Sequence, residues 1–140
     1  MAADNVMAIE EDGLRRAYFR AVHCDNGCET IRFRFYVKLN GKCKLFVTNA
    51  SGGGAYGMYT ADVPGSNIFK IIYKSSNFMV IYAIYMEGEH SLDHTRLTLA
   101  LGTGRSMSEE EREKYEELTA LCNISPQNIR YLTEADTCPD

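Results

Sequence analysis

Five cysteines, at positions 24, 28, 43, 122 and 138, are the residues of this 140-residue chain whose types most readily do chemistry. An odd count suits two bridges and one free thiol in an oxidising compartment. A zinc site does not fit, because Cys24 and Cys28 have no second pair at finger spacing and His23, His90 and His94 supply no matching set. His90 and His94 fall in a polar turn with no helix beside them, so no metal is expected there. A catalytic Cys122 would need a base and an orienting group, and nothing near it in sequence offers either. Ser51-Gly52-Gly53-Gly54 lacks the Lys and the helix start of a phosphate-cradling loop, and Gly102-Thr103-Gly104-Arg105 fails in the same way. With no Ser/His/Asp set, carboxylate pair or cofactor motif, the expectation is a protein that is not an enzyme and carries no cofactor. Of two sequons, Asn49-Ala50-Ser51 is the expected glycosylation position, while Asn123-Ile124-Ser125 is followed by Pro126 and reads as a chance match.

The scaffold that positions these residues is expected to be one domain spanning residues 1–140. An apolar share of 45% against 24% charged residues is the balance of a chain that folds around one core. A net charge of -4 offers no basic face to a phosphate backbone, so nucleic acid is excluded as a partner. The longest apolar run, Phe78 to Met86, is too short to cross a bilayer, so no membrane insertion is expected. Met1-Ala2-Ala3-Asp4 lacks the basic and apolar regions of a signal peptide.

From Leu14 to Gly102 short runs rich in β-branched and aromatic residues alternate with Gly, Asn and Ser clusters, the pattern of an antiparallel meander. Seven strands are expected: Leu14 to His23, Ile31 to Leu39, Cys43 to Asn49, Ala55 to Val63, Asn67 to Lys74, Phe78 to Met86 and Asp93 to Gly102. In the second, Ile31, Phe33, Phe35, Val37 and Leu39 share a core face and the charges share the wet one. Asn40-Gly41 then gives a type I′ hairpin. Phe78 to Met86 is apolar on both faces, with Met79, Ile81, Ala83 and Tyr85 facing one way and Val80, Tyr82, Ile84 and Met86 the other. Such a strand is covered on both sides.

Ser108 and Glu111 form a capping box, and Glu109 to Glu111 place negative charge at the positive end of a helix dipole. The helix is expected to run to about Leu121, with Tyr115, Leu118 and Leu121 as its inward stripe. It should dock on the outer face of Phe78 to Met86.

Strands, then one helix, then a tail carrying a cysteine is an order that resembles the lipocalins. Ala3-Asp4-Asn5-Val6, Ile9-Glu10-Glu11-Asp12-Gly13, Tyr18-Phe19-Arg20 and Cys24 with Cys28 resemble the odorant-binding, aphrodisin-like branch. So do Gly65-Ser66-Asn67-Ile68-Phe69, Leu101-Gly102-Thr103-Gly104, Pro126-Gln127-Asn128-Ile129 and Asp136-Thr137-Cys138-Pro139-Asp140. The resemblance implies an all-β, up-and-down antiparallel barrel with one C-terminal α-helix packed outside. It also implies bridges Cys24–Cys28 and Cys43–Cys138, which leave Cys122 free and buried. The chain has no Trp, so the family's opening Gly-x-Trp is missing and the first residues resemble the end of that strand. The chain therefore reads as either a truncated product or an incomplete record, and a barrel missing most of one strand is expected to have unpaired edges and an opened floor. Arg15 stands where relatives carry Leu or Phe facing the cavity, and Leu14 replaces a Pro.

By alternation and by the resemblance the interior is lined by Ala17, Phe19, Ile31, Phe33, Phe35, Phe46, Val63, Phe69, Ile71, Ile81, Ala83, Tyr85, Leu97, Leu99 and Leu101. Periodicity alone favours a solid core there; the resemblance favours a ligand cavity. Such a lining desolvates an apolar guest, with Tyr85 giving one hydrogen bond. The implied function is secreted, extracellular binding and transport of a small hydrophobic ligand, an odorant or pheromone. The alternatives are a protein signal that engages a cell-surface receptor and a truncated form with weak binding. A homodimer is the remaining partner raised by the resemblance.

Overall fold

The computed structural model describes residues 1–52, 57–61, 67–86 and 94–140. Eight antiparallel strands form one curled sheet: β1 (Ala2–Ala3), β2 (Tyr18–Asp25), β3 (Thr30–Leu39), β4 (Lys42–Gly52), β5 (Met58–Ala61), β6 (Asn67–Lys74), β7 (Phe78–Met86) and β8 (His94–Gly102). Their spatial order is β1-β8-β7-β6-β5-β4-β3-β2, so each strand from β2 to β8 lies beside its neighbour in sequence. The short piece β1 pairs with β8 through Ala2 to Thr98 and Ala3 to Leu97. The two edges of the sheet are thus β1 and β2.

Local chemistry accounts for the meander. Asn40 and Gly41 both take positive φ, 53° and 76°, which gives the β3–β4 hairpin a twist that matches its strands. In β7, Ile81 and Ala83 enter the inner cluster with Met79 and Tyr85 packed on it, while Phe78 and Val80 enter a second cluster outside. That outer cluster is where α1 (Glu109–Leu121) docks. The helix starts as expected: Ser108 Oγ accepts from the Glu111 N–H at 3.1 Å, and Glu111 Oε1 accepts from the Ser108 N–H at 2.8 Å.

Three expectations need correction. Leu121 lies outside the inward stripe and is 73% exposed; Tyr115, Leu118, Thr119 and Cys122 face the sheet instead. The strand expected from Leu14 begins only at Tyr18, because residues 4–17 fold into a 3-10 turn at Val6–Ala8 and successive tight turns. In that segment a Cβ on Gly13 would lie 2.4 Å from the Ala8 carbonyl oxygen, so only glycine admits the approach. The fifth strand covers Met58–Ala61; Ala55, Val63 and Asp93, expected as strand residues, lie outside the described residues, as does His90.

The tail closes the molecule against β2. Cys43 is bonded to Cys138, with Cα atoms 5.7 Å apart, and Cys24 to Cys28; Cys122 is a free thiol. The Arg20 guanidinium donates two hydrogen bonds to the Asp136 carboxylate, at 2.7 and 2.8 Å, and others to the Cys138 and Pro139 carbonyls. Those bonds hold Asp136 below the usual carboxylate range. The unfolded chain then binds a proton at Asp136 more readily than the folded one. Stability from this pair is present above the ordinary carboxylate pKa and is lost as pH falls through the depressed folded value. Asp136→Asn is expected to flatten that acid limb, read by urea melts stepped from neutral pH downward. A limb as steep as the parent's would show that the pair contributes nothing.

Candidate functional site

The interior is built from alternate residues of seven strands. Ile31, Phe33, Phe69, Ile81, Ala83, Leu97 and Leu99 are buried in one cluster, and Phe19, Phe35, Ile71, Tyr85 and Leu101 are half-buried against it. Phe46 joins them as the direct cross-strand partner of Phe35, their rings stacked at 5.8 Å. Rings meet around the wall: Phe19 with Phe35 at 5.2 Å, Phe33 with Phe69 at 5.5 Å, Tyr59 with Phe69 at 5.1 Å. Of the expected lining, Ala17 sits in the turn segment ahead of β2, outside that cluster, and Val63 lies outside the described residues. Asn49 is exposed on the outer face of β4, its side-chain oxygen 3.4 Å from Arg32 Nε.

Several inner residues escaped the sequence reading. Tyr59 lies opposite Phe69, donates to the Cys28 carbonyl at 2.6 Å, and could have been found by counting back in twos from Val63. Val22 and Cys24 face inward because a bulge between Phe19 and Ala21 shifts the alternation by one residue. Asn67 begins β6 on the same face as Phe69 and Ile71, opposite Tyr85, and is 2% exposed. Ile9 carries no strand pattern at all, yet it is 0% exposed in the inner cluster with Val6 packed beside it.

Those last two residues show how one end of the barrel is closed. Asp4 bonds Arg96, the carboxylate of Glu10 pairs with Arg130, and the Arg15 N–H donates to the Ala8 carbonyl at 2.9 Å. Between these anchors residues 4–17 cross the end of the sheet at which β2 begins and β7 finishes, and the Arg15 guanidinium lies 4.2 Å from the centre of the Tyr85 ring. Burial raises the Tyr85 hydroxyl pKa and the Arg15 charge partly offsets that rise. Outside this end lies a polar recess of about 340 Å³ lined by Glu11, Asp12, Gly13, Arg16, Tyr18, Lys38, Gly41 and Ala135. A second, of about 250 Å³, runs along Thr30, Asn49, Ala50, Ser51, Thr60 and Ala61. Neither is lined by the aromatic residues of the inner cluster. The inner wall itself supports desolvation of an apolar guest and little else, since its surface is hydrocarbon and aromatic ring with a few hydroxyls and one amide.

The model of the lipocalin / cytosolic fatty-acid binding protein family matches residues 1–136. The bovine (Bos taurus) allergen Bos d 2 is 36% identical over 138 residues, covering 99% of this chain and 78% of the relative. Mouse (Mus musculus) odorant-binding protein 1b is 30% identical over 99% of this chain and 80% of its own length. Among solved structures, the crystal structure of aphrodisin, a sex pheromone from female hamster, superposes with a TM-score of 0.90 at 30% identity, covering 99% of this chain and 92% of that one. The family model spans nearly the whole chain and the relatives match it in sequence and in fold, so the chain belongs to the lipocalin family, among binding proteins rather than enzymes.

Proposed function

We propose that this chain carries small hydrophobic molecules of odorant or pheromone size in extracellular fluid, held against the inner wall of the barrel. The observation that carries the reading is the continuous inner wall of rings and aliphatic side chains, whose members Phe19, Phe35, Phe46 and Tyr85 are only half-buried although they face inward. A relative named for odorant binding and another described as a pheromone support it. Two disulfides favour an oxidising, extracellular setting, and exposed Asn49 is the position for an N-linked glycan.

Micromolar binding needs about 8 kcal/mol, within reach of a guest of ten to fifteen heavy atoms at ordinary ligand efficiency. The rings in contact across the wall part to admit it. Displacement of fluorescent phenylnaphthylamine by aliphatic alcohols and aldehydes tests this: saturable, competitive micromolar binding is the expected result. Ala83→Leu adds bulk to a buried inner position between Phe69 and Leu97, and it is expected to weaken the probe by about tenfold, while costing about 1–3 kcal/mol of overpacking. An absence of probe binding to the oxidised parent chain would refute the carrier reading and leave the wall as a solid core.

A further inference from the structure

The polar recess outside the barrel, about 340 Å³ in volume, reaches the size of a small-molecule site and is far larger than a single ion needs. Its base is Tyr18, 4% exposed and packed with Tyr36 and Cys138, so the tail anchored by the Cys43–Cys138 bridge holds the ring in place. The Tyr18 hydroxyl accepts from Arg16 Nε at 2.8 Å, and Arg16 is fixed in turn by donating from Nη1 to the Ile9 carbonyl at 3.1 Å. Among the described residues nothing accepts the phenol's own proton, although a buried tyrosine hydroxyl ordinarily finds an acceptor for it. Lys38 Nζ stands 5.4 Å from the centre of the same ring. A phenol, a guanidinium and an ammonium therefore gather donors at one side of the recess, while Glu11 and Asp12, both exposed, place carboxylates on its lining.

We propose that this recess binds a small zwitterion, a free amino acid or a dipeptide, outside the barrel and independently of any apolar guest within it. Arg16, Lys38 and the Tyr18 O–H supply donors for the carboxylate, and Glu11 and Asp12 supply acceptors for the ammonium. Among the described residues neither acid forms an ion pair with Arg16 or Lys38, although all four line the one recess. Opposite charges that share a recess without pairing leave a place for a guest that carries both. Two cations against two anions also decide the class of guest. An inorganic anion or a metal ion meets as much repulsion as attraction there, whereas a zwitterion is attracted at each end. The acid of the adjoining tail, Asp136, also feels Lys38 but takes two hydrogen bonds from Arg20. Asp12 holds φ at 65°, a conformation that asparagine adopts as readily, so its charge can be removed without disturbing the turn.

Alanyl-alanine is titrated into the oxidised full chain at neutral pH and followed by backbone amide NMR shifts, with its N-acetylated and C-amidated forms as single-charge controls. The parent dipeptide is expected to give saturable shifts centred on Gly13, Lys38 and Gly41. Each control should bind about tenfold more weakly, the loss of one charge-assisted contact. Lys38→Gln should weaken alanyl-alanine and the acetylated form about tenfold while leaving the amidated form unchanged. Asp12→Asn should do the opposite, weakening alanyl-alanine and the amidated form and sparing the acetylated one. That crossed pattern is one that a general loosening of the fold does not produce. Phenylnaphthylamine held in the barrel should be neither displaced by the dipeptide nor weakened by either substitution. Equal affinities for the three dipeptides, shifts that do not saturate, or displacement of phenylnaphthylamine would overturn the zwitterion site. The NMR titration needs no guest in the barrel, so its outcome is separate from that of the carrier reading.

Discussion

Tyr115→Ala is expected to unfold the chain more easily by about 3–5 kcal/mol, the range for truncating a large buried aromatic side chain. Tyr115 is 0% exposed and is the largest of the fully buried side chains among the described residues. Its ring lies between the helix and the outer face of the sheet, in the cluster of Phe78, Val80 and Ile124. Its hydroxyl accepts from Thr98 Oγ1 at 3.0 Å and donates to the Thr98 carbonyl at 3.2 Å, and Thr119 Oγ1 completes the group at 2.8 Å from Thr98 Oγ1. The alanine thus removes the ring that fills the joint and an acceptor that satisfies a buried hydroxyl. Tyr115→Phe separates the two contributions: it keeps the ring and should cost only about 0.5–1.5 kcal/mol, since Thr98 retains Thr119. Urea denaturation of both variants checks this. A loss under about 1 kcal/mol for the alanine would mean that the helix contributes no packing to the fold. The functional consequence is that β7 keeps its inner residues Ile81 and Ala83 in place only while Phe78 and Val80, on its other face, stay covered.

How much of this joint and of the lining can be read from the residues depends on how local the controlling physics is. The β3 alternation from Ile31 to Phe35 and the Asn40-Gly41 turn are decided by neighbours in sequence, and both appear where expected; nearer the turn the pattern gives way, with Leu39, expected on the core face, exposed and Tyr36, on the other face, buried with Tyr18 and Cys138. The helix start is equally local, set by Ser108 and Glu111. Its buried face is not: steps of three from Tyr115 to Leu121 drift about 120° around a helix that advances about 100° per residue. Leu118, Thr119 and Cys122 stay within about 60° of Tyr115, so the docked face includes a threonine and a cysteine that a hydrophobic stripe passes over. The inner wall was legible wherever alternation is unbroken, as in β3, β7 and β8. It was misread where a bulge adds a residue between Phe19 and Ala21. The segment over the barrel end was read in part as strand because Leu14 to His23 looks like one; the turns that precede it, with Asp12 at φ 65°, are fixed by contacts with residues more than 80 positions away, such as Arg96 and Arg130. Asn67 is the instructive case, for alternation from Phe69 and Ile71 puts it on the inner face but gives no sign that a polar residue is buried there with no side-chain hydrogen-bond partner among the described residues.

Replacing Cys43 and Cys138 together by alanine is expected to cost about 2–5 kcal/mol, near the upper end of what a single bridge contributes. The two residues are separated by 95 positions, and on the chain-entropy model a loop of that size loses about 4.7 kcal/mol of denatured-state freedom when closed. The folded state adds a local reason for a large effect. Cys138 is buried with Tyr18 and Tyr36, so the bridge fixes the tail over the outer side of β2 and β3. Arg20 reaches the same tail at Asp136, Cys138 and Pro139, and its guanidinium lies 5.2 Å from the centre of the Tyr36 ring. Because β2 is an edge of the sheet, it has β3 as its ladder partner on one side and the tail as its cover. Losing the bridge therefore loosens the strand that carries Phe19 into the interior, and probe affinity should fall together with stability. Cys24→Ala with Cys28→Ala provides the contrast, since that bridge spans only 4 positions within one turn and should cost far less. Thermal melts of the two double variants, read beside probe titrations, check the order. Equal losses from the two bridges would show that the tail neither restrains the unfolded chain nor supports the edge strand.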